Sequence, residues 1–78
     1  MTSDYRTGEV VWVAGYADGH ETVEAHCFQF LKHLPKRDDF GHDCVLIGGD
    51  GYTFRAISRD LFKTRNDCRE FIEKEMQE

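Results

Sequence analysis

Two Asp-Gly pairs, at Asp18-Gly19 and Asp50-Gly51, constrain this chain more than any other feature. Each pair lies between runs of β-forming residues, and a two-residue type I′ turn needs a positive φ at both central positions, which Asp-Gly tolerates. The sequence therefore predicts two β-hairpins. A chain of 78 residues has room for a single domain, residues 1–78, with one modest core.

The first hairpin can be given a register from its turn. A two-residue turn at Asp18-Gly19 places apolar residues of both strands on one face of the ribbon. The expected pairs are Ala17 with His20, Ala14 with Val23, Trp12 with Ala25 and Val10 with Cys27. The opposite face, where Val11 would pair with His26, is mixed in polarity and is expected to be half-exposed.

The second strand of this hairpin has a rival interpretation. Alternation breaks after Cys27, over residues 28–31, where a β-bulge or the end of the strand is expected. Apolar residues over 21–34 also fit helical spacing, and Pro35 would end such a helix. The strand is the preferred interpretation, and the helix, which would give the order β-α-β-β-α, is the alternative.

The second hairpin is expected to join residues 44–47 to residues 52–57, after a polar loop at 35–43. A two-residue turn at Asp50-Gly51 would pair Ile47 with Phe54. Because glycines also stand at 48 and 49, a bulged three-residue loop is the other option.

A C-terminal helix completes the predicted fold. Thr64 is a good N-cap residue with Asp67 three positions later, and Cys68 and Ile72 belong to an apolar stripe over 65–77. The predicted class is α+β, in which two antiparallel hairpins form a small curved sheet or open barrel and the helix packs against it.

The stretch between the second hairpin and the helix reads Asp60-Leu61-Phe62-Lys63-Thr64-Arg65-Asn66-Asp67-Cys68. Two hairpins followed by this entry into a terminal helix resemble small SH3-like β-barrel proteins with a C-terminal helix, found among short bacterial and bacteriophage proteins. The resemblance covers most of the chain as a pattern, implies an SH3-like open barrel and carries over no functional residue. In type, a small acidic domain is also similar to phage inhibitors, including anti-CRISPR proteins, which occupy a surface of a larger complex.

The charge of the chain is −5 and is unevenly spread, with −4 over residues 1–31, +2 over 32–65 and −3 over 66–78. Nucleic-acid binding requires a basic face, so this balance argues against direct nucleic-acid binding. An acidic face complements a basic surface on another protein and steers their encounter. The same acids would also serve as a solvated surface that keeps the chain soluble.

These features favour a non-catalytic protein-binding domain in which acids steer the partner and exposed aromatic residues anchor it. The candidate partner-binding residues are Asp18, Glu21, Glu24, Asp38, Asp39, Tyr16, Phe40 and Tyr52. The leading hypothesis is a phage-type inhibitor that blocks a basic surface on a larger host complex. The alternative is an SH3-like adaptor that binds a peptide or subunit in a groove among the three aromatic residues.

Three cysteines, Cys27, Cys44 and Cys68, are predicted to be reduced core residues of a cytoplasmic protein, because their number is odd and each lies in an apolar pattern. Their spacing from the histidines is not that of a structural zinc site. No metal, cofactor or catalytic residue is therefore predicted, and a small metal- or thiol-dependent protein is the third hypothesis. No apolar run approaches a membrane span, and an exposed edge strand leaves a homodimer open.

Overall fold

The computed structural model describes residues 5–16 and 22–76. Four strands form one antiparallel sheet in sequence order: β1 (Val10–Tyr16), β2 (Val23–His33), β3 (Cys44–Ile47) and β4 (Thr53–Ala56). They are followed by a 3-10 helix (Ser58–Asp60) and by α1 (Arg65–Phe71), which continues as a π-helical segment over Ile72–Met76. The predicted α+β class is confirmed.

Strand β2 is the long central strand of the sheet. It is hydrogen-bonded to β1 on one side and to β3 on the other, so the strand interpretation is confirmed and the helical alternative is wrong. Its register shifts between Phe30 and Lys32, at Leu31, which lies within the stretch 28–31 where a bulge was expected. Pairing on both edges outweighs the helical spacing of its apolar residues, because tertiary context overrides weak local propensity.

The register of β1 against β2 differs from the prediction by two residues. The observed pairs are Tyr16 with Val23, Ala14 with Ala25, Trp12 with Cys27 and Val10 with Gln29. The predicted pairs within the described strands are therefore wrong, although an even shift keeps each side chain on its predicted face. The Asp18-Gly19 turn and the pair Ala17 with His20 lie outside the described residues.

The β3–β4 connection is the bulged three-residue loop, which the sequence offered as the second option. The Gly48 N–H donates to the Tyr52 carbonyl at 2.9 Å, and Gly51 takes the positive φ of 87° that this loop needs in its last position. Leu46 therefore faces Phe54, and the two-residue pairing of Ile47 with Phe54 is wrong. This one-residue change moves Leu46 and Phe54 onto the same face.

Both faces of the sheet carry apolar clusters. The inner cluster contains Tyr5, Val11, Phe30, Cys44, Leu46 and Leu61. The outer cluster lies under the helix and joins Val23, Cys68 and Ile72 to half-buried residues that include Trp12. Two expectations are thereby corrected: Val11 is fully buried because the inner face is the main core, and Cys27 is exposed because the helix leaves its part of the outer face uncovered.

The chain returns to β1 after the 3-10 helix. The Trp12 N–H donates to the Phe62 carbonyl at 2.8 Å, and the Phe62 N–H donates to the Trp12 carbonyl at 2.9 Å. The neighbouring Leu61 enters the inner core, and the Tyr5 hydroxyl donates to its carbonyl at 3.2 Å. Leu61 and Phe62 thus anchor the entry into the helix, and Thr64 caps the helix by accepting from the Asp67 N–H at 3.1 Å.

Candidate functional site

The loop between β2 and β3, residues 34–43, is closed by its own backbone. The Gly41 N–H donates to the Asp38 carbonyl at 3.0 Å, and the Asp38 N–H donates to the His42 carbonyl at 3.1 Å. Gly41 has a φ of +88°, a left-handed conformation that a side chain would strain. The loop is therefore a tight hairpin with Phe40 at its tip.

The carboxylate of Asp38 holds this hairpin together. Its Oδ1 accepts from the backbone N–H groups of Phe40 at 3.0 Å and His42 at 2.8 Å. Its Oδ2 lies 2.9 Å from Nδ1 of His42 and 3.1 Å from Nη1 of Arg55. Desolvation opposes ionisation, but these hydrogen bonds outweigh it and hold the pKa of Asp38 well below its ordinary value. The carboxylate thus remains ionised and ordered.

A second carboxylate ties the loop to the 3-10 helix. Asp43 accepts from the Ser58 backbone N–H through Oδ1 and from the Ser58 hydroxyl through Oδ2, each at 2.8 Å. Desolvation would raise the pKa of Asp43, but the hydrogen bonds from Ser58, with help from the charge of Arg37, lower it. The loop is therefore fixed at its tip and at its base.

Phe40 is the most exposed large hydrophobic residue of the described chain, with 82% of its surface accessible. The ring of His42 lies near it, with 6.1 Å between ring centroids. Because the backbone beneath Phe40 is already ordered, a partner that covers this ring would lose little loop entropy on binding. This combination is typical of an interface anchor.

A groove of about 310 Å³ lies beside this ring, and we call it the Phe40 groove. It is lined by Arg37, Phe40, Gly41, Asp43, Ile57, Ser58 and Arg59. Its apolar surface comes from Phe40 and the half-buried Ile57, and its cations come from two exposed arginines. The Asp43 carboxylate is engaged by Ser58.

The three predicted aromatic anchors do not form one groove. Tyr16 and Tyr52 are exposed at 68% and 67%, and they lie at the end of β1 and beside the β3–β4 loop. In an antiparallel meander successive connections alternate between the two ends of the sheet, so Phe40 in the β2–β3 loop lies at the opposite end. Tyr52 instead stacks on Phe54, with ring centroids 6.2 Å apart.

The predicted acidic residues are divided among different settings. Asp38 is engaged inside the loop, while Asp39 beside it and Glu24 on β2 are exposed. Asp18 and Glu21 lie outside the described residues. The helix adds three exposed carboxylates that we call the helix acids, Glu70, Glu73 and Glu75, of which Glu73 and Glu75 line different grooves.

The sequence analysis missed the residues that come to the groove from the 3-10 helix. Ser58 and Arg59 lie 18 and 19 positions beyond Phe40, and the pairing of β4 with β3 places them beside the loop. Ala56 at the end of β4 pairs with Cys44, and the Asp43 N–H donates to the Ala56 carbonyl at 3.0 Å. One local signal was available, because Asp38 and Gly41 occupy the first and fourth positions favoured in a type I turn. That pattern indicates an ordered loop rather than a loose one.

The reactive groups near this site are engaged in holding the structure. The Cys44 thiol is buried and donates to the Ala56 carbonyl at 3.3 Å, and burial, with the nearby Asp43, raises its pKa to about 11. The Ser58 hydroxyl donates to Asp43, and the His42 ring contacts Asp38. Among residues 5–16 and 22–76, no group of three His, Cys, Asp or Glu is placed to hold a metal ion.

Comparison with protein-family models, with curated proteins and with solved structures found no match to this chain. In the described part of the chain, no helix has both the length and the apolar character needed to cross a bilayer. Function is therefore inferred from the residues of the Phe40 groove and its surroundings.

Proposed function

We propose that this chain is a non-catalytic protein-binding domain whose main anchor is Phe40. The observation that carries the proposal is a large aromatic ring, 82% exposed, at the tip of an internally hydrogen-bonded loop. A side chain with no packing role in its own fold costs solubility, whereas at an interface it supplies a large apolar contact.

The neighbouring groups support binding rather than chemistry. Asp38 and Asp43 accept hydrogen bonds from within the protein, so they order the loop and its base. The groove of about 310 Å³ beside the ring is open to a partner's side chain, and interface anchors commonly pair with such a pocket.

The test is an affinity pull-down with the tagged full chain from bacterial lysates at moderate salt, followed by mass spectrometry and measurement of the dissociation constant. Wild type is compared with Phe40→Ala and with Tyr52→Ala, a second exposed aromatic residue at the other end of the sheet. We expect one stoichiometric partner that Phe40→Ala binds about 30-fold or more weakly, since truncating an anchor costs about 2 kcal/mol or more.

Tyr52→Ala should retain the partner with little change. The Tm of Phe40→Ala should match that of wild type, because so exposed a ring adds little to the folded state. A partner retained equally by Phe40→Ala would contradict the proposal.

A second candidate function is the narrower one of a phage-type inhibitor steered toward a basic host surface. It is favoured by the exposed Glu24 and helix acids, although Arg65 and Arg69 also line the groove that Glu24 shares with Glu73. Glu24→Lys and Glu73→Lys should then weaken binding and flatten its salt dependence. Equal affinity at low and high salt would exclude electrostatic steering.

The SH3-like adaptor is a further form of the same proposal. It is supported by the order of four strands, a 3-10 helix and a bridge from Phe62 back to Trp12 of β1. It differs from the inhibitor in its partner, since an adaptor would bind an isolated peptide, whereas an inhibitor would need the assembled surface of a larger complex.

A further inference from the structure

Two guanidinium groups flank the Phe40 groove from separate elements. Arg37 belongs to the loop and Arg59 to the 3-10 helix, and both side chains are exposed. Within the described residues, neither takes part in a salt bridge, whereas Arg55 is paired with Asp38. The two flanking arginines are therefore available to an incoming ligand.

The groove is cationic although the chain as a whole is acidic. Asp38 does not line the groove and pairs with Arg55, whereas Asp43 lines it and keeps its negative charge while accepting twice from Ser58. The lining therefore carries two guanidinium groups against one carboxylate. The exposed neighbours Asp39 and Asp60 do not line the groove, and the exposed Lys36 precedes Arg37.

We propose that the Phe40 groove binds an acidic segment of a partner protein. An apolar side chain of that segment packs on Phe40 and Ile57, and carboxylates on either side of it pair with Arg37 and Arg59. Guanidinium groups bind carboxylates through two parallel hydrogen bonds, so paired arginines favour carboxylates over neutral side chains. This inference rests on the proposed function and adds the chemistry of the partner.

A nucleic acid is the less favoured occupant. It needs a continuous basic track, whereas this cationic groove is short and the chain carries a net charge of −5. An acidic peptide needs only the local complementarity that the two arginines supply.

The test uses a random 12-residue peptide library displayed on filamentous phage and selected on the immobilised full chain. Selected peptides are synthesised, and their dissociation constants are measured against wild type, Phe40→Ala, Arg37→Glu and Arg59→Glu. The matched control is Arg65→Glu, the same charge reversal at an exposed position on α1. A fluorescent 20-residue oligo(dT) is titrated in parallel.

The expected result is a set of peptides with Asp or Glu on both sides of an apolar residue. Phe40→Ala and each groove arginine reversal should weaken their binding by about tenfold or more, while Arg65→Glu leaves it unchanged. Neutral or basic peptides that need Phe40 but tolerate Arg37→Glu would overturn this inference and leave the proposed function standing. A library that gives no Phe40-dependent peptide would overturn this inference, as would oligo(dT) binding that Arg37→Glu abolishes. The proposed function is overturned separately, by a lysate partner that Phe40→Ala retains equally.

Discussion

The carboxylate of Asp38 contacts His42 twice, with Oδ1 at 2.8 Å from the backbone nitrogen and Oδ2 at 2.9 Å from ring Nδ1. The two contacts close the 34–43 loop from the inside and aim Phe40 outward. A loop ordered in this way presents its tip in one conformation, which lowers the entropic cost of binding. Its order is therefore open to direct measurement.

Removing the Asp38 carboxylate should loosen the loop without unfolding the sheet. In Asp38→Ala the N–H groups of Phe40 and His42 lose their acceptor, so we expect their hydrogen exchange, measured by NMR, to accelerate by about tenfold or more. Asp38→Asn keeps one acceptor oxygen, so its hydrogen-exchange rates should lie between those of wild type and those of Asp38→Ala. Asp39→Ala, at an exposed neighbouring carboxylate, is the control, and equal protection in Asp38→Ala would argue against this role.

The hydrogen bonds that order the 34–43 loop should persist at acidic pH. Because the pKa of Asp38 in the folded protein is lowered from 3.8, its contribution to stability is complete above 3.8 and is lost as the pH falls through the lower folded value. We expect the His42 amide resonance to titrate with a midpoint well below 3.8. Asp38→Asn should lack this step, and a midpoint at or above 3.8 would contradict the hydrogen-bonded geometry.

Asp43 should matter more for global stability than Asp39. In Asp43→Ala the N–H and hydroxyl of Ser58, a residue only 9% exposed, lose their acceptor. An unpaired buried polar group costs about 1–3 kcal/mol, so the free energy of unfolding in urea should fall by about that amount. Asp39→Ala should change it by less than about 0.5 kcal/mol. Equal effects of the two substitutions would exclude the Asp43–Ser58 link as a stabilising contact.

The three thiols should differ in reactivity. Cys27 is exposed, whereas Cys44 and Cys68 are buried and burial raises the pKa of both. A thiol reagent such as DTNB should modify one thiol of the native protein quickly and the other two only on unfolding, because the thiolate is the reactive form. Cys27→Ser should abolish the fast phase, and a fast phase that survives this substitution would place a second thiol at the surface.

Phe62 should be needed to hold the chain against β1. Its ring packs in the outer cluster with Trp12 and lies 5.2 Å from the ring of Phe71. Since Phe62 is half-buried, Phe62→Ala should lower the free energy of unfolding by about 2–3 kcal/mol, less than the loss of a fully buried phenylalanine. It should also shift the fluorescence emission of the single tryptophan to the red, because the ring that packs with Trp12 is removed. Tyr52→Ala should leave the emission unchanged, and an unshifted Phe62→Ala spectrum would argue against the contact.

Local chemistry was enough to identify the elements of this fold. The glycines within residues 48–51 predicted the β3–β4 turn, alternation predicted the strands, and Thr64 with Asp67 predicted the start of the helix, because each depends on residues a few positions apart. The polar loop and its exposed Phe40 were recognisable for the same reason. The burial of Cys44 and Cys68 followed from their apolar neighbours.

Tertiary structure alone decided which faces and which distant residues meet. A one-residue difference in the β3–β4 loop set the face of Phe54, and the limited extent of the helix left Cys27 exposed. The Phe40 groove exists because β4 pairs with β3 and so sets the following 3-10 helix, with Arg59, beside the loop. Such contacts depend on register and closure of the whole sheet, which are set by the summed packing of both clusters and not by any short stretch of sequence.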